Sequence, residues 1–554
     1  MTLTGKVGGA HTLQTTPYTI RDGVHISPAE WRWVMIVGGI LVLLAFVPLL
    51  WVILFGQSEW RLMGTLPNFW DGASYFSKMR LGFEGQWLVT FQHTAETHSG
   101  AFIQTLYPLL GHISRWTSIP FLVLFHVARA FAALFMYVAL YQLGAMVWSR
   151  VTARRLFFGI AAVGSGFGWL FSFVVSNTDF PDFALLPEAY PFFSSLMNAH
   201  FPLTIACLAL LAGLCIGAFR PGADRNVAQR YGWAIAAVLS FALCVLYPQS
   251  LVPFAGALLM VVAVQMLRRR KVSAYVLRYP LAVILPAIPF GLYILAIVSA
   301  NPAMQEWNRQ NVTAAPPPLA FLVGFGLPLL LAVPAILRAV RRFDSDGDRL
   351  MLFWLLCMIV AIYLPTNIQR RFAVGMMIPI AYFATWALMD FWLPKIRRTL
   401  QRPAVIAVIA TMAISPFLLL ILLSTRIASQ PQSASGVLLQ SDYADAFAWL
   451  DQRGNDDTVI LAAPSVSAWI PAYTGHRVIY GHPYETLYAD ERLAQVQQWY
   501  STSDPQACSD LLNTSLSNVR YVLYGAQEAE LGGGLCNELL RRVVQFGDVI
   551  IYAP

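Results

Sequence analysis

Charge is what this 554-residue chain has least of: Asp, Glu, Lys and Arg make up 12% of it, against 57% hydrophobic residues. So few charges cannot clothe a soluble protein of this size, and a mean hydropathy of +0.58 places it with membrane proteins. Cysteine is scarce too. Of six, Cys207, Cys215, Cys244 and Cys357 fall in apolar runs, where a thiol is ordinary packing. No Cys-x-x-Cys and no Cys/His ligand spacing occurs, which argues against a structural zinc. There is no internal repeat, and no inverted-repeat hydropathy of the transporter kind. Gly164-Ser165-Gly166-Phe167-Gly168 sits inside an apolar run, so it reads as close helix packing rather than a nucleotide loop. About thirty mostly polar residues precede the first apolar run, the wrong order for a cleavable signal peptide.

What the chain does have is apolar runs long enough to cross ~30 Å of hydrocarbon. About eleven are expected, near 33–55, 119–147, 156–176, 201–219, 232–248, 250–267, 280–300, 319–337, 350–365, 372–393 and 404–424. Five basic clusters fall between them: Arg150/Arg154/Arg155, Arg220/Arg225/Arg230, Arg268 to Lys271, Arg338/Arg341/Arg342, and Lys395/Arg397/Arg398/Arg402. Alternating through eleven spans puts all five on the side of the N-terminus, which the positive-inside rule makes cytoplasmic. The net charge of +8 is then topological and needs no nucleic acid. The expected organisation is a cytoplasmic tail (1–32), a transmembrane domain (33–425) and an outer domain (433–554). The long outer loops are 56–118, 177–200 and 301–318, and the membrane is expected to be the plasma membrane.

The C-terminal domain reads as α/β. Helices are expected at 443–451, 488–499 and 506–512, and strands at 458–462, 477–480, 519–524, 542–546 and 548–552. No Gly-rich phosphate loop follows these strands, so support or substrate contact is expected there rather than nucleotide binding. Cys508 and Cys536 both lie in this domain, where an oxidising compartment would let them pair.

The scarce charges gather on the outer face. Asp71 precedes an amphipathic pattern over 72–83 that suits a helix lying in the interface. Composition alone favours an N-cap over a general base for an acceptor hydroxyl. Glu84, His93, Glu96 and His98 extend the same loop and can supply acid/base groups or, without supporting ligand spacing, hold a divalent metal. The second loop carries Asp182, Glu188 and His200. Arg370 and Arg371 stand on the outer face, against the bias of the five clusters, and their guanidinium forks suit phosphate oxygens or lipid headgroups.

This arrangement resembles the GT-C superfamily of integral-membrane glycosyltransferases. Protein O-mannosyltransferases, aminoarabinose transferases and bacterial enzymes with polyprenyl-phosphate sugar donors belong to it. The resemblance rests on Phe69-Trp70-Asp71-Gly72-Ala73-Ser74-Tyr75 after the first span, on Gln369-Arg370-Arg371-Phe372, and on the segment Val478 to Glu485 in an outer domain. It implies a polytopic helical fold and makes Asp71 the catalytic acidic residue, with Asp182 or Glu188 matching a second acidic position. It also implies a lipid-linked sugar donor and an acceptor glycan, lipid or protein. Asp-Gly replaces the paired acidic residues of several members, so the resemblance carries no metal site with it. The rivals are a transporter or flippase for a lipid-linked or anionic substrate, and a non-catalytic scaffold with an outer binding domain. A transporter calls for ionisable groups at mid-membrane, of which the runs are nearly bare.

Overall fold

The computed structural model describes residues 26–171, 186–219, 231–269, 274–343, 346–453 and 458–554. Most of the N-terminal tail, Asp182, and the basic residues Arg220, Arg225, Arg230, Arg270 and Lys271 lie outside the described residues. Among those described, seven helices are long and apolar enough to cross a membrane: Pro28–Phe55, Phe121–Val147, His200–Ala218, Pro248–Arg268, Val276–Ala300, Pro318–Arg342 and Gln369–Lys395. The pair Arg398–Met412 and Ile414–Ser429, bent by 42°, makes an eighth if it is one span. The other three expected runs are shorter helices, Val151–Val163, Gly232–Leu246 and Asp346–Ile362.

The first of these short helices stops at the glycine run, for a reason other than helix packing. Ser165 donates its hydroxyl to the Met412 carbonyl at 2.6 Å, and the Phe167 amide donates to Val323 O at 2.9 Å. A Cβ on Gly166 would lie 2.1 Å from that same carbonyl oxygen. The glycine marks a chain break where two backbones meet.

In the outer domain, strands Arg477–Val478, Val459–Leu461 and Val519–Tyr524 run parallel, and Val549–Ala553 and Arg541–Phe546 complete the sheet as an antiparallel edge. Helices Ser441–Asp451, Ala489–Ser501 and Pro505–Asn513 accompany it. Cys508 and Cys536 form a disulfide. The strands are short apolar runs bounded by polar turns, which is why alternation alone locates them.

The outer domain is fastened to the first outer loop by a shared core. Met63, Phe76 and Tyr107 of the loop cluster with Phe447, Trp469 and Ile470 of the domain. Strand Trp60–Leu62 pairs antiparallel with Leu438–Gln440, and Thr94 bridges to Tyr480. Burying large aromatics across such a boundary contributes about 1.5–3 kcal/mol per side chain, which holds the two parts in register.

Candidate active site

Asp71 lies in the first turn of helix Phe69–Phe83. The amphipathic pattern places the helix start at 72, but the chain turns helical three residues earlier. Asn68 adopts a left-handed conformation (φ 50°) and takes the capping role, accepting from the Asp71 amide through its side chain. Its amide group also donates to Asp71 Oδ2 at 2.7 Å. Asp71 is therefore held by the cap rather than being one. Ten of the fifteen residues of this helix are buried, between helices Leu106–Thr117 and Ile470–Thr474. Small residues permit this: a Cβ on Gly72 would lie 2.0 Å from Thr65 Oγ1, so an alanine beside Asp71 would displace the helix start.

The Asp71 side chain, 37% exposed, opens into a cavity of 640 Å³. Glu188 and His200 of the second outer loop line the same cavity, as do Arg370 and Arg371. Glu188 sits in the 3-10 turn Pro187–Ala189 with Oε1 3.9 Å from Arg370 Nε. Burial pushes its carboxyl up, against the pull of Arg370. His200 Nδ1 lies 2.7 Å from Tyr107 Oη, and Tyr107 stacks on Tyr75 at 4.1 Å. Arg371 donates to Asn311 Oδ1 at 2.9 Å, while the Arg370 amide bonds Thr313 O. The two guanidinium groups keep spare N–H donors toward the cavity, a fork geometry suited to phosphate. Apolar residues complete the wall, with Leu419 and Leu423 from one membrane helix and Phe290, Ile294 and Val298 from another.

The fourth side of the cavity belongs to the outer domain, which presents His482, Tyr484 and Glu485. Glu485 is buried, accepting from Ser74 Oγ at 2.7 Å and from Lys78 Nζ at 2.5 Å. Burial alone would raise this carboxyl, but the Lys78 ammonium, with His93 and His482 beside it, holds it well below its ordinary range. For Asp71 the same contest, burial against the His482 imidazole and the Arg371 charge, ends below the ordinary value. Asp71 is thus an ionised carboxylate at neutral pH, available to accept a proton.

Two solved structures share this architecture over nearly the whole chain. ArnT from Cupriavidus metallidurans, solved bound to undecaprenyl phosphate, aligns with 95% of this chain and 98% of its own at 13% identity, with a TM-score of 0.53. The Archaeoglobus fulgidus oligosaccharyltransferase, solved with zinc and sulfate, aligns with 94% of this chain and 73% of its own at 12% identity, with a TM-score of 0.52. The chain has the fold that these two structures share. No protein-family model and no curated protein sequence matches the chain.

Within this fold the cavity gathers Asp71, Glu188, His200, Arg370 and Arg371 from segments up to 300 residues apart. It does not gather Glu84, His93, Glu96 or His98 of the first outer loop. Glu84 pairs with Arg80 at 2.6 Å, and Arg80 also holds Asp451 at 2.7 Å. Glu96 accepts from Thr94 and pairs with Arg492. His98 accepts from the Phe91 amide at 3.0 Å. His93 is fully buried behind the wall, with Nε2 2.9 Å from Ala468 O and Nδ1 3.4 Å from Glu485 Oε2. Among the described residues no group of three or more His, Cys, Asp or Glu side chains could hold a metal ion. The carboxylate nearest to such a cluster, Glu485, already faces an ammonium. Composition singles out neither Lys78 nor Asn68. For Lys78 the one local signal is its i, i+4 pairing with Ser74.

Proposed function

We propose that the chain is a membrane glycosyltransferase that moves a sugar from a polyprenyl-phosphate donor to an acceptor hydroxyl at the outer face. The observation that carries this reading is one cavity in which an ionised carboxylate, two guanidinium groups and an apolar wall face each other. The five basic loops on the side of the N-terminus support the outer-face assignment. ArnT, with its undecaprenyl phosphate, supports the lipid-phosphate donor at the level of the fold.

In the proposed reaction the acceptor oxygen attacks the anomeric carbon and the bond from that carbon to the phosphate oxygen breaks. The acceptor proton passes to Asp71. Arg370 and Arg371 bind the phosphate and offset its growing charge, the kind of electrostatic contribution worth about 3–4 kcal/mol per well-placed donor. Glu188 orients Arg370, and His200, fixed by Tyr107, faces the sugar or acceptor hydroxyls. The other outer-loop residues, Glu84, His93, Glu96 and His98, act through the architecture around the cavity.

The test uses the full chain in lipid nanodiscs with undecaprenyl-phosphate-linked pentoses and hexoses, followed by release of undecaprenyl phosphate. Wild type turns over, and Asp71→Asn loses at least about 100-fold, the usual contribution of a general base. Undiminished turnover in a folded Asp71→Asn protein would remove Asp71 from the chemistry.

A further inference from the structure

The outer domain holds an imidazole against Asp71 whose tautomer its own backbone decides. His482 is 3% exposed. Its Nδ1 accepts two hydrogen bonds, from the Tyr484 amide at 3.0 Å and the Glu485 amide at 3.1 Å. Both amides can only donate, so Nδ1 carries no proton and the ring proton sits on Nε2. That Nε2 has no hydrogen-bond partner among the described residues and lies 3.8 Å from Asp71 Oδ1. The other oxygen of the carboxylate, Oδ2, is taken by Asn68 at 2.7 Å. A buried N–H left without a partner is costly, and the carboxylate within ion-pair distance of it is the one that opens into the cavity.

We infer that His482 is a positioning residue for Asp71: its Nε2–H orients Oδ1 and keeps the carboxylate ionised, opposite the grip of Asn68 on Oδ2. The inference rests on the reading of Asp71 as the base. It also separates the roles of the two residues. Protonating Nδ1 would break both backbone hydrogen bonds, so the ring acts through Asp71 and is not itself the base.

The turn that carries the ring is rigid. Gln310 donates to the Tyr484 and Thr486 carbonyls, Thr486 Oγ1 accepts from the Gly481 and His482 amides, and the Glu485 carboxylate is clamped by Lys78. The charged and titratable groups around the pair are Glu485 and Tyr484 on the same turn, Lys78 and Tyr75 on the Asp71 helix, His93 and Tyr107 of the first outer loop, and Glu188, His200, Tyr247 and Arg371 across the cavity. None of these donates a hydrogen bond to Oδ1. Removing His482 leaves that oxygen to water alone.

The carboxyl of Asp71 can be titrated directly, without any sugar donor, by pH-dependent infrared difference spectra of the full chain in nanodiscs. Asp71→Asn identifies its protonated C=O band. In His482→Ala the Asp71 midpoint is expected to rise by about one pH unit, the scale on which a donor facing the charged form acts. His482→Gln, whose amide N–H extends in the same direction, is expected to recover at least half of that shift. His482→Met, of similar bulk and without a donor, is expected to match Ala and serves where the smaller side chain unfolds the turn. An Asp71 midpoint that stays at the wild-type value in Ala and Met, or moves equally in Gln, overturns the inference. Loss of the transferase reading would show separately, as absent release of undecaprenyl phosphate by wild type with the infrared shifts intact.

Discussion

Two groups of ionisable residues share the outer loops, and they differ in what their charges face. Around the cavity, Asp71, Glu188, Arg370 and Arg371 sit at 3.8–3.9 Å from their ionic neighbours or hold a single neutral amide, with donor and acceptor capacity to spare. Around them, Glu84, Glu96 and the buried Lys78–Glu485 pair are engaged at hydrogen-bond distance with partners that tie the first outer loop to the outer domain. The first group can respond to a ligand; the second has its electrostatics satisfied before any ligand arrives. Ionisable side chains beside a membrane thus divide into chemistry and fastening by their partners, not by their number.

Variants at the two groups should therefore fail in different ways. The largest separation is expected between Asp71→Asn, which costs at least about 100-fold in turnover with unfolding unchanged, and Glu485→Gln. The latter leaves the Lys78 ammonium buried without its counterion and is expected to cost about 3–5 kcal/mol of stability, read by denaturation of the full chain. Pairing it with Lys78→Met should recover most of that loss, because no unpaired charge remains.

The same pair sets a pH dependence. Because the Glu485 carboxyl is depressed in the folded chain, its stabilisation is fully present above its ordinary value of 4.5. It is lost as pH falls from there through the folded value. Thermal unfolding followed against pH should show that acid loss in wild type and a flatter profile in Glu485→Gln.

Next in size, Arg371→Ala or Arg370→Ala is expected to weaken undecaprenyl phosphate binding about tenfold to a hundredfold, as for loss of a charge-assisted contact, while leaving unfolding near wild type. The smallest effect is expected at the half-exposed fastening pairs. Glu84→Gln and Glu96→Gln should each change stability by less than about 1 kcal/mol and leave turnover intact. A large turnover loss at either would break the division between the groups.

That division also explains what the sequence makes legible. Long apolar runs mark the spans, and isolated apolar hexamers such as Val519–Tyr524 mark the strands, because periodicity and run length report burial directly. Arg370 and Arg371 stand out because they break the charge asymmetry expected of the loops. The short helices do not stand out as short, since an apolar run continues past a backbone break such as the one at Gly164 to Gly166. Asp71 and Glu84 look alike in composition. Only the fold shows that Arg80 occupies one while the other opens into a cavity. Lys78, His482 and Glu485 depend on partners some 400 residues away, a relation that local pattern does not encode. The Asn68 cap escapes notice because its left-handed conformation moves the helix start ahead of the amphipathic pattern.

The most direct test is the position of undecaprenyl phosphate in a cryo-EM structure of the full chain in nanodiscs. The account predicts its phosphate in the 640 Å³ cavity, within hydrogen-bond reach of Arg370 and Arg371, with Asp71 facing the same space. A phosphate bound outside that cavity, with both arginines unliganded, would contradict it.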